Sequence, residues 1–149
     1  MFDLDFGYSK IVRIIQKNDN ELENVKNLFW LNYTKIKNVY LTCILNSEYP
    51  VITWNDFTLI CNKCKVVDKV CNLSIIDTVY IATNVPLNSA TVNADRDLSR
   101  YEFMEILLRL ANEKYKKQKI CYSYTESLRK LLDENIYPNI EETNPCIFR

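Results

Sequence analysis

Cys61-Asn62-Lys63-Cys64 has the spacing in this chain that most directly suggests chemistry, since two thiolates at CxxC distance can supply half a zinc site or shuttle electrons. Cys71 follows shortly after, and a complete zinc site would need it together with Cys121 or Cys146. The redox version of the motif belongs after a strand in a βαβ unit, whereas these residues fall within a helical pattern. Of the six cysteines, most stand among apolar neighbours, as in Leu41-Thr42-Cys43-Ile44-Leu45. A reduced thiol in such company packs as a small hydrophobe. The reading is therefore six reduced thiols, mostly buried, with a zinc-stapled module built on Cys61, Cys64 and Cys71 as an alternative.

The rest of the composition removes most other chemistry. The chain has no histidine, so Ser-His-Asp, Cys-His and HExxH sites are excluded together. Its single glycine, Gly7, leaves no phosphate-cradling loop or dinucleotide fingerprint. An enzyme would have to work with Cys, Lys, Asp, Glu or Tyr alone, and no constellation of these stands out. Nineteen basic and nineteen acidic residues cancel, so no overall field draws nucleic acid or an anionic membrane. Lys114-Tyr115-Lys116-Lys117-Gln118-Lys119 is a local basic run, read as solvated surface. The first residues, Met1-Phe2-Asp3-Leu4-Asp5-Phe6, are acidic where an export signal would be basic. Apolar stretches such as Phe103 to Ala111 are broken by Glu105 and Arg109 and are too short to span a membrane. A cytoplasmic protein with no nucleic-acid and no membrane partner is expected, and ten tyrosines with Trp30 and Trp54 suit contacts with other proteins.

Helical periodicity dominates the 149 residues, continuous strand patterning is scarce, and the tail from Asn139 to Arg149 has no clear period. A first helix is predicted over Ser9 to Lys17, with Ile11, Val12, Ile14 and Ile15 on one broad face. A second runs from Glu21 to about Leu45, with an interruption near Asn32 to Thr34. Asn46 to Pro50 is turn chemistry. Ile52 then precedes Thr53-Trp54-Asn55-Asp56, a shortened capping box opening a helix that carries Phe57, Ile60, Cys61 and Cys64. Asn72 or Ser74 caps a fourth helix, with Ile75, Ile76, Val79, Tyr80 and Ile81 on its apolar side. A polar stretch from Asn84 to Asp97 leads to Leu98, after which Ser99-x-x-Glu102 is a full capping box for a helix with Phe103, Ile106, Leu107, Leu110 and Tyr115. Ser123-Tyr124-Thr125-Glu126 reads as another box, opening a last helix with Leu128, Leu131, Leu132 and Ile136 and a stop at Pro138. The organisation is all-α: N-terminal helices over 1–45, a pair of helix-loop-helix units over 46–117, and a C-terminal helix and tail over 118–149, in one compact domain.

Two tandem units of helix, polar loop, single bridging aliphatic, capping residue and helix resemble a degenerate paired EF-hand. Ile52-Thr53-Trp54-Asn55-Asp56-Phe57 and Leu98-Ser99-Arg100-Tyr101-Glu102-Phe103 match each other as well as that family: an aliphatic at loop position eight, an acid at twelve, then Phe. In the first loop the resemblance puts Leu45, Tyr49 and Pro50 where calcium would need oxygen ligands and glycine, so no calcium is expected there. In the second it aligns Asn93, Asp95, Asp97 and Glu102 with ligand positions, but Thr91 with the first and Arg96 with the glycine, in an enlarged loop. These four residues are weak calcium candidates, against a solvated turn and a capping role for Glu102. No cofactor is expected otherwise. The wording of the second unit is also similar to EF-hand-like modules of ciliary and protist cytoskeletal proteins. That likeness implies a non-catalytic, calcium-independent structural or adaptor module in a microtubule or axonemal assembly, with tubulin or other cytoskeletal proteins as partners. The alternative is a calcium sensor working through the second loop. The groove between the hands, with Trp54, Phe57, Phe103 and Leu107, is the first place to expect a partner, or else the C-terminal helix folding back over it.

Overall fold

The computed structural model describes Phe6, Ser9 and residues 11–15, 19–45, 52–84 and 98–140. The described residues form an all-α domain in chain order: α1 (Ile11–Ile14), α2 (Asp19–Leu45), α3 (Trp54–Lys63), α4 (Leu73–Asn84), α5 (Arg100–Ala111), α6 (Tyr124–Leu131) and α7 (Tyr137–Asn139). α5 runs on into a π-helical turn at Asn112–Lys116, and α6 into another at Leu132–Ile136. Helices α2 and α3 form the first hand, α4 and α5 the second.

α1 is the described part of the first predicted helix. Ile11 and Ile15 are buried, but Val12 points to solvent, about 100° round the helix from Ile11, so the apolar face is narrower than expected. α2 opens on Asp19 and Glu21, acids that suit the positive end of the helix dipole. Val25, Leu28, Phe29, Ile36, Val39 and Tyr40 lie buried along one side of its 27 residues. The predicted interruption near Asn32 to Thr34 is absent. Asn32 is satisfied inside the helix instead: its Nδ2 donates to the Leu28 carbonyl at 2.9 Å, and its Oδ1 accepts from the Tyr137 hydroxyl at 2.8 Å.

α3 and α4 are joined by a short linker with clear local causes. Lys65 takes a left-handed conformation with φ of 58°. Lys65 N–H donates to the Asn62 carbonyl at 3.2 Å and Val66 N–H to the Cys61 carbonyl at 2.9 Å, the paired bonds of a Schellman stop. Asp68 then accepts from the N–H groups of Val70 and Cys71 through one carboxylate oxygen. Asn72 caps α4 by accepting from Ile75 N–H at 3.1 Å. On α4, Ile76, Val79, Tyr80 and Thr83 are buried, while Ile81, expected on the apolar side, is exposed.

α5 is the axis of the core, buried without a break from Glu102 to Leu108 and again at Leu110 and Ala111. It packs against α4 on one side and α6 on another, with α2 closing over both α5 and α6. Glu105, one of the charges that break the apolar stretch in sequence, sits inside, with Arg109 Nε at 3.0 Å from its carboxylate. The expected box at Ser123 is only half present. Ser123 Oγ accepts from Glu126 N–H at 3.1 Å, while the Glu21 carboxylate takes the N–H of Tyr124 and, at 3.1 Å, the hydroxyl of Thr125. The start of α2 thus caps α6. Pro138 does not stop the chain at once, because the preceding π turn hands over to α7, which carries the proline within its first residues.

Candidate functional site

The seam between the two hands is built from an antiparallel bridge, Ile52 to Leu98. Ile52 N–H donates to the Leu98 carbonyl at 3.2 Å and Leu98 N–H to the Ile52 carbonyl at 2.7 Å. Both side chains are fully buried, which is why a single aliphatic suffices at each position. Each bridging carbonyl also receives a tyrosine from the opposite hand's entering helix. The Tyr40 hydroxyl of α2 donates to the Leu98 carbonyl at 3.0 Å, and the Tyr80 hydroxyl of α4 to the Ile52 carbonyl at 3.4 Å. The rings repeat the exchange: Tyr40 lies 5.5 Å from Phe103 of α5, and Tyr80 lies 5.4 Å from Phe57 of α3. Burial, with the nearby Glu102 carboxylate second, pushes the Tyr40 phenol up to about 12, so it stays a donor at any physiological pH.

Two capping boxes flank this seam as expected. Asp56 Oδ2 accepts from Thr53 N–H at 3.3 Å and Thr53 Oγ1 at 2.8 Å, while Thr53 Oγ1 accepts from Asp56 N–H at 3.2 Å. Glu102 Oε1 accepts from Ser99 N–H at 3.1 Å and from the Ser99 hydroxyl at 2.8 Å. The two acids at loop position twelve are thus engaged in opening the outgoing helices. Leu45, at the first position of loop one, is the last residue of α2 and offers no side-chain oxygen. Of the weak calcium candidates, Asn93, Asp95 and Asp97 lie outside the described residues, and Glu102 is the one whose surroundings are described.

Cys146, one of the alternatives for completing a zinc site, lies outside the described residues, and the other five cysteines are placed as small hydrophobes. Cys61, Cys64 and Cys71 are buried and Cys43 half-buried, all as free thiols. Burial pushes the Cys43 thiol up to about 12 and those of Cys64 and Cys71 up to about 11, and raises Cys61 well above its ordinary range. These groups are protonated at neutral pH and are poor nucleophiles. Among the described residues, no three His, Cys, Asp or Glu side chains converge in a way that could hold a metal ion.

The predicted partner residues divide. Phe57, Phe103 and Leu107 are core, each at most 2% exposed. Trp54 is half-buried, 5.2 Å edge-on from Tyr80 and 6.5 Å from Phe57. The apolar side of α5 that a target helix would need is covered by α6 and α2 of the chain itself. What holds α6 there is a polar cluster that the periodicity gave no sign of. Asn135, in the second π turn, accepts from the Tyr115 hydroxyl in the first, and its Nδ2 donates to the carbonyls of Cys64 at 3.0 Å and Lys65 at 3.3 Å. One side chain thereby ties the end of α3, the end of α5 and the C-terminal helix together. Lys114 adds a second tie, its Nζ donating to the Val66 carbonyl at 3.2 Å and to Asp68 at 2.6 Å.

A paired hand with a bridged seam, two loop-end caps and a C-terminal helix over α5 is matched, over residues 18–144, by the family model described as "Tubulin polyglutamylase TTLL11, EF-hand". The chain belongs to that EF-hand family. Neither a curated protein nor a solved structure matches it significantly. The match runs from the residue before α2 to beyond α7, so the TTLL11-type EF-hand takes in the long first helix and the C-terminal helix as well as the two hands. The crossed tyrosines of this TTLL11-type pair were readable only in part. Tyr40 precedes Ile52 by twelve residues and Tyr80 precedes Leu98 by eighteen, so the repeat appears only once a six-residue enlargement of the second loop is allowed for. Among the described residues of the domain, no helix is long and apolar enough to cross a membrane.

Proposed function

We propose that this chain is a non-catalytic EF-hand module that binds other proteins without calcium, as a structural or adaptor part of a microtubule assembly. The observation that carries the reading is the occupation of the domain by its own parts: α6 and α2 cover α5, and the position-twelve acids Asp56 and Glu102 are bonded into caps. A calcium sensor of this superfamily works by opening a groove when the loops fill. Here the groove is closed by chain already, and opening it would break the Tyr115–Asn135 cluster and the Glu21 cap of α6. Membership in an EF-hand family named for a tubulin polyglutamylase supports tubulin or a microtubule-bound protein as the partner, and with it a cytoplasmic, cytoskeletal setting that includes the cilium.

The test is co-sedimentation of the purified chain with stabilised microtubules, run once with calcium and once with chelator, beside a thermal melt under both conditions. Pelleting and melting temperature independent of calcium are expected. Glu102→Gln keeps an oxygen that accepts from the Ser99 N–H, so the melting temperature in chelator should change by less than about 2 °C. Pelleting that requires calcium, or a calcium-dependent rise in melting temperature that Glu102→Gln abolishes, would establish a sensor instead. Failure to pellet under either condition would remove the microtubule assignment.

A further inference from the structure

Helix α2 turns its core residues to one side and leaves two adjacent large apolar groups in water on the other: Trp30 is 62% exposed and Leu31 79%. Surface apolars scattered singly need no explanation, but a tryptophan beside a leucine midway along a 27-residue helix has the chemistry of a contact. Seven residues before Trp30 stands Glu23, and seven after it Lys37. At about 100° per residue a step of seven drifts only about 20°, so the three share one line over about 21 Å of helix. The strip is bounded on one flank by Lys35, 5.2 Å over the Tyr137 ring, and on the other by Lys26, 5.6 Å over the Phe6 ring. Neither Glu23 nor Lys37 has an ion-pair partner among the described residues.

Charge is divided along this helix on either side of Trp30. The half before it carries Asp19, Glu21 and Glu23 against Lys26, whereas the half after it carries Lys35 and Lys37 and no acid. Such a strip is complementary to itself. When a second α2 lies antiparallel across the first with a two-fold axis at Trp30, each position faces the one equally far beyond the tryptophan. Glu23 then meets Lys37, twice by symmetry, Lys26 meets Thr34, and Trp30 and Leu31 meet their own copies at the centre. A parallel pair would instead set Glu23 on Glu23 and Lys37 on Lys37, and like charges so placed oppose association.

We propose that this face of α2 is a self-association surface, and that its occupant is a second copy of the chain, paired antiparallel about Trp30. The inference goes beyond the interaction-module reading and does not depend on what that module binds. The tryptophan and leucine supply the apolar centre, and the two Glu23–Lys37 pairs fix direction and register. A seam this short lies at the low end of specific interfaces, so the dimer is weak, with a dissociation constant on the order of tens of micromolar.

The experiment is sedimentation velocity of the full chain from about 1 to about 300 µM, in reductant so that no disulfide joins two copies. A concentration-dependent shift from monomer to dimer is expected. Glu23→Lys and Lys37→Glu should each weaken it about tenfold, because symmetry turns two attractive pairs repulsive at once. The double exchange Glu23→Lys/Lys37→Glu should restore it, and so should an equimolar mixture of the two single variants, since each supplies the charge the other lacks. Trp30→Ala should abolish the dimer while moving the melting temperature of the monomer by less than about 3 °C. A chain that stays monomeric over the whole range, a dimer indifferent to the single reversals, or losses that the double exchange does not recover would overturn the proposal. A monomeric chain whose pelleting with microtubules is lost in Trp30→Ala would give this face to that partner and overturn it too.

Discussion

Replacing Asn135 by alanine should cost this domain a large part of its stability. Asn135 is 6% exposed and makes three hydrogen bonds, one from the Tyr115 hydroxyl and two to the carbonyls of Cys64 and Lys65. Alanine removes all three while leaving the phenol and the carbonyls where they were. Each polar group stranded out of water costs about 1–3 kcal/mol, and the Cys64 and Lys65 carbonyls retain partial access through the exposed Lys65. The sum is about 3–4 kcal/mol, against a total stability of about 5–15 kcal/mol for a domain of this kind. In a thermal melt that corresponds to a fall of roughly 8–14 °C. The decisive assay is a double-mutant cycle in urea with Tyr115→Phe. Phenylalanine alone also strands the Asn135 oxygen and should cost about 1–2 kcal/mol, yet added to Asn135→Ala it removes an already orphaned hydroxyl. The double variant should therefore be no less stable than Asn135→Ala by more than about 0.5 kcal/mol. Strict additivity, or a loss below about 1 kcal/mol for Asn135→Ala, would refute the claim that this residue holds the C-terminal helix in place.

Other expectations follow from the same geometry. Lys65→Gly and Lys119→Gly, at the two left-handed positions among the described residues, should each raise stability by about 0.5–1 kcal/mol, measured as a higher urea midpoint at unchanged slope, because the side-chain clash there outweighs the entropy that glycine adds. The Asp68 carboxyl is held below its ordinary value of 3.8 by the hydrogen bond from Lys114, with the Cys71 and Val70 N–H groups adding to it and desolvation opposing. Its contribution is therefore present above that ordinary value and lost as pH falls through the depressed one. Asp68→Asn should be less stable than the parent at neutral pH and converge with it in strong acid, which a pH series of urea melts would show. In native protein at neutral pH, Cys61, Cys64 and Cys71 should resist iodoacetamide until urea unfolds the chain, and rapid native alkylation followed by mass spectrometry would contradict their placement.

Local chemistry was the legible part of this fold. Thr53 with Asp56 and Ser99 with Glu102 are caps whose whole mechanism lies within four residues, and Ile52 and Leu98 announced the bridge through the words around them. What the sequence concealed were polar side chains whose partners lie far along the chain. Asn32 reads as a helix break until Tyr137 is seen to occupy its oxygen, 105 residues away. Ser123 reads as the start of a self-contained box, yet Glu21, about a hundred residues earlier, takes the N–H of Tyr124 and the hydroxyl of Thr125. Phe57, Phe103 and Leu107 have the types of a binding groove, but the packing of α6 and α2 over α5 places Phe103 and Leu107 inside, and Phe57 on α3 is buried against Tyr80 of α4. Residue type sets what a side chain can do, and the topology decides whether it faces a partner or its own core.

The two π turns bind the length of one helix to the length of another. Tyr115 and Asn135 each occupy the fourth place of a five-residue turn, Asn112–Lys116 and Leu132–Ile136, and each turn holds one residue more than an α-helical turn closed by the same number of bonds. Dropping a residue early in one turn would swing its polar member by about 100° and leave the other facing apolar core. Insertions and deletions at these two places are therefore not independent events. A variant of this domain that loses the wide turn in α5 would have to surrender the asparagine in α6 as well, trading the pair for hydrophobes, so the two turns should be kept or discarded together.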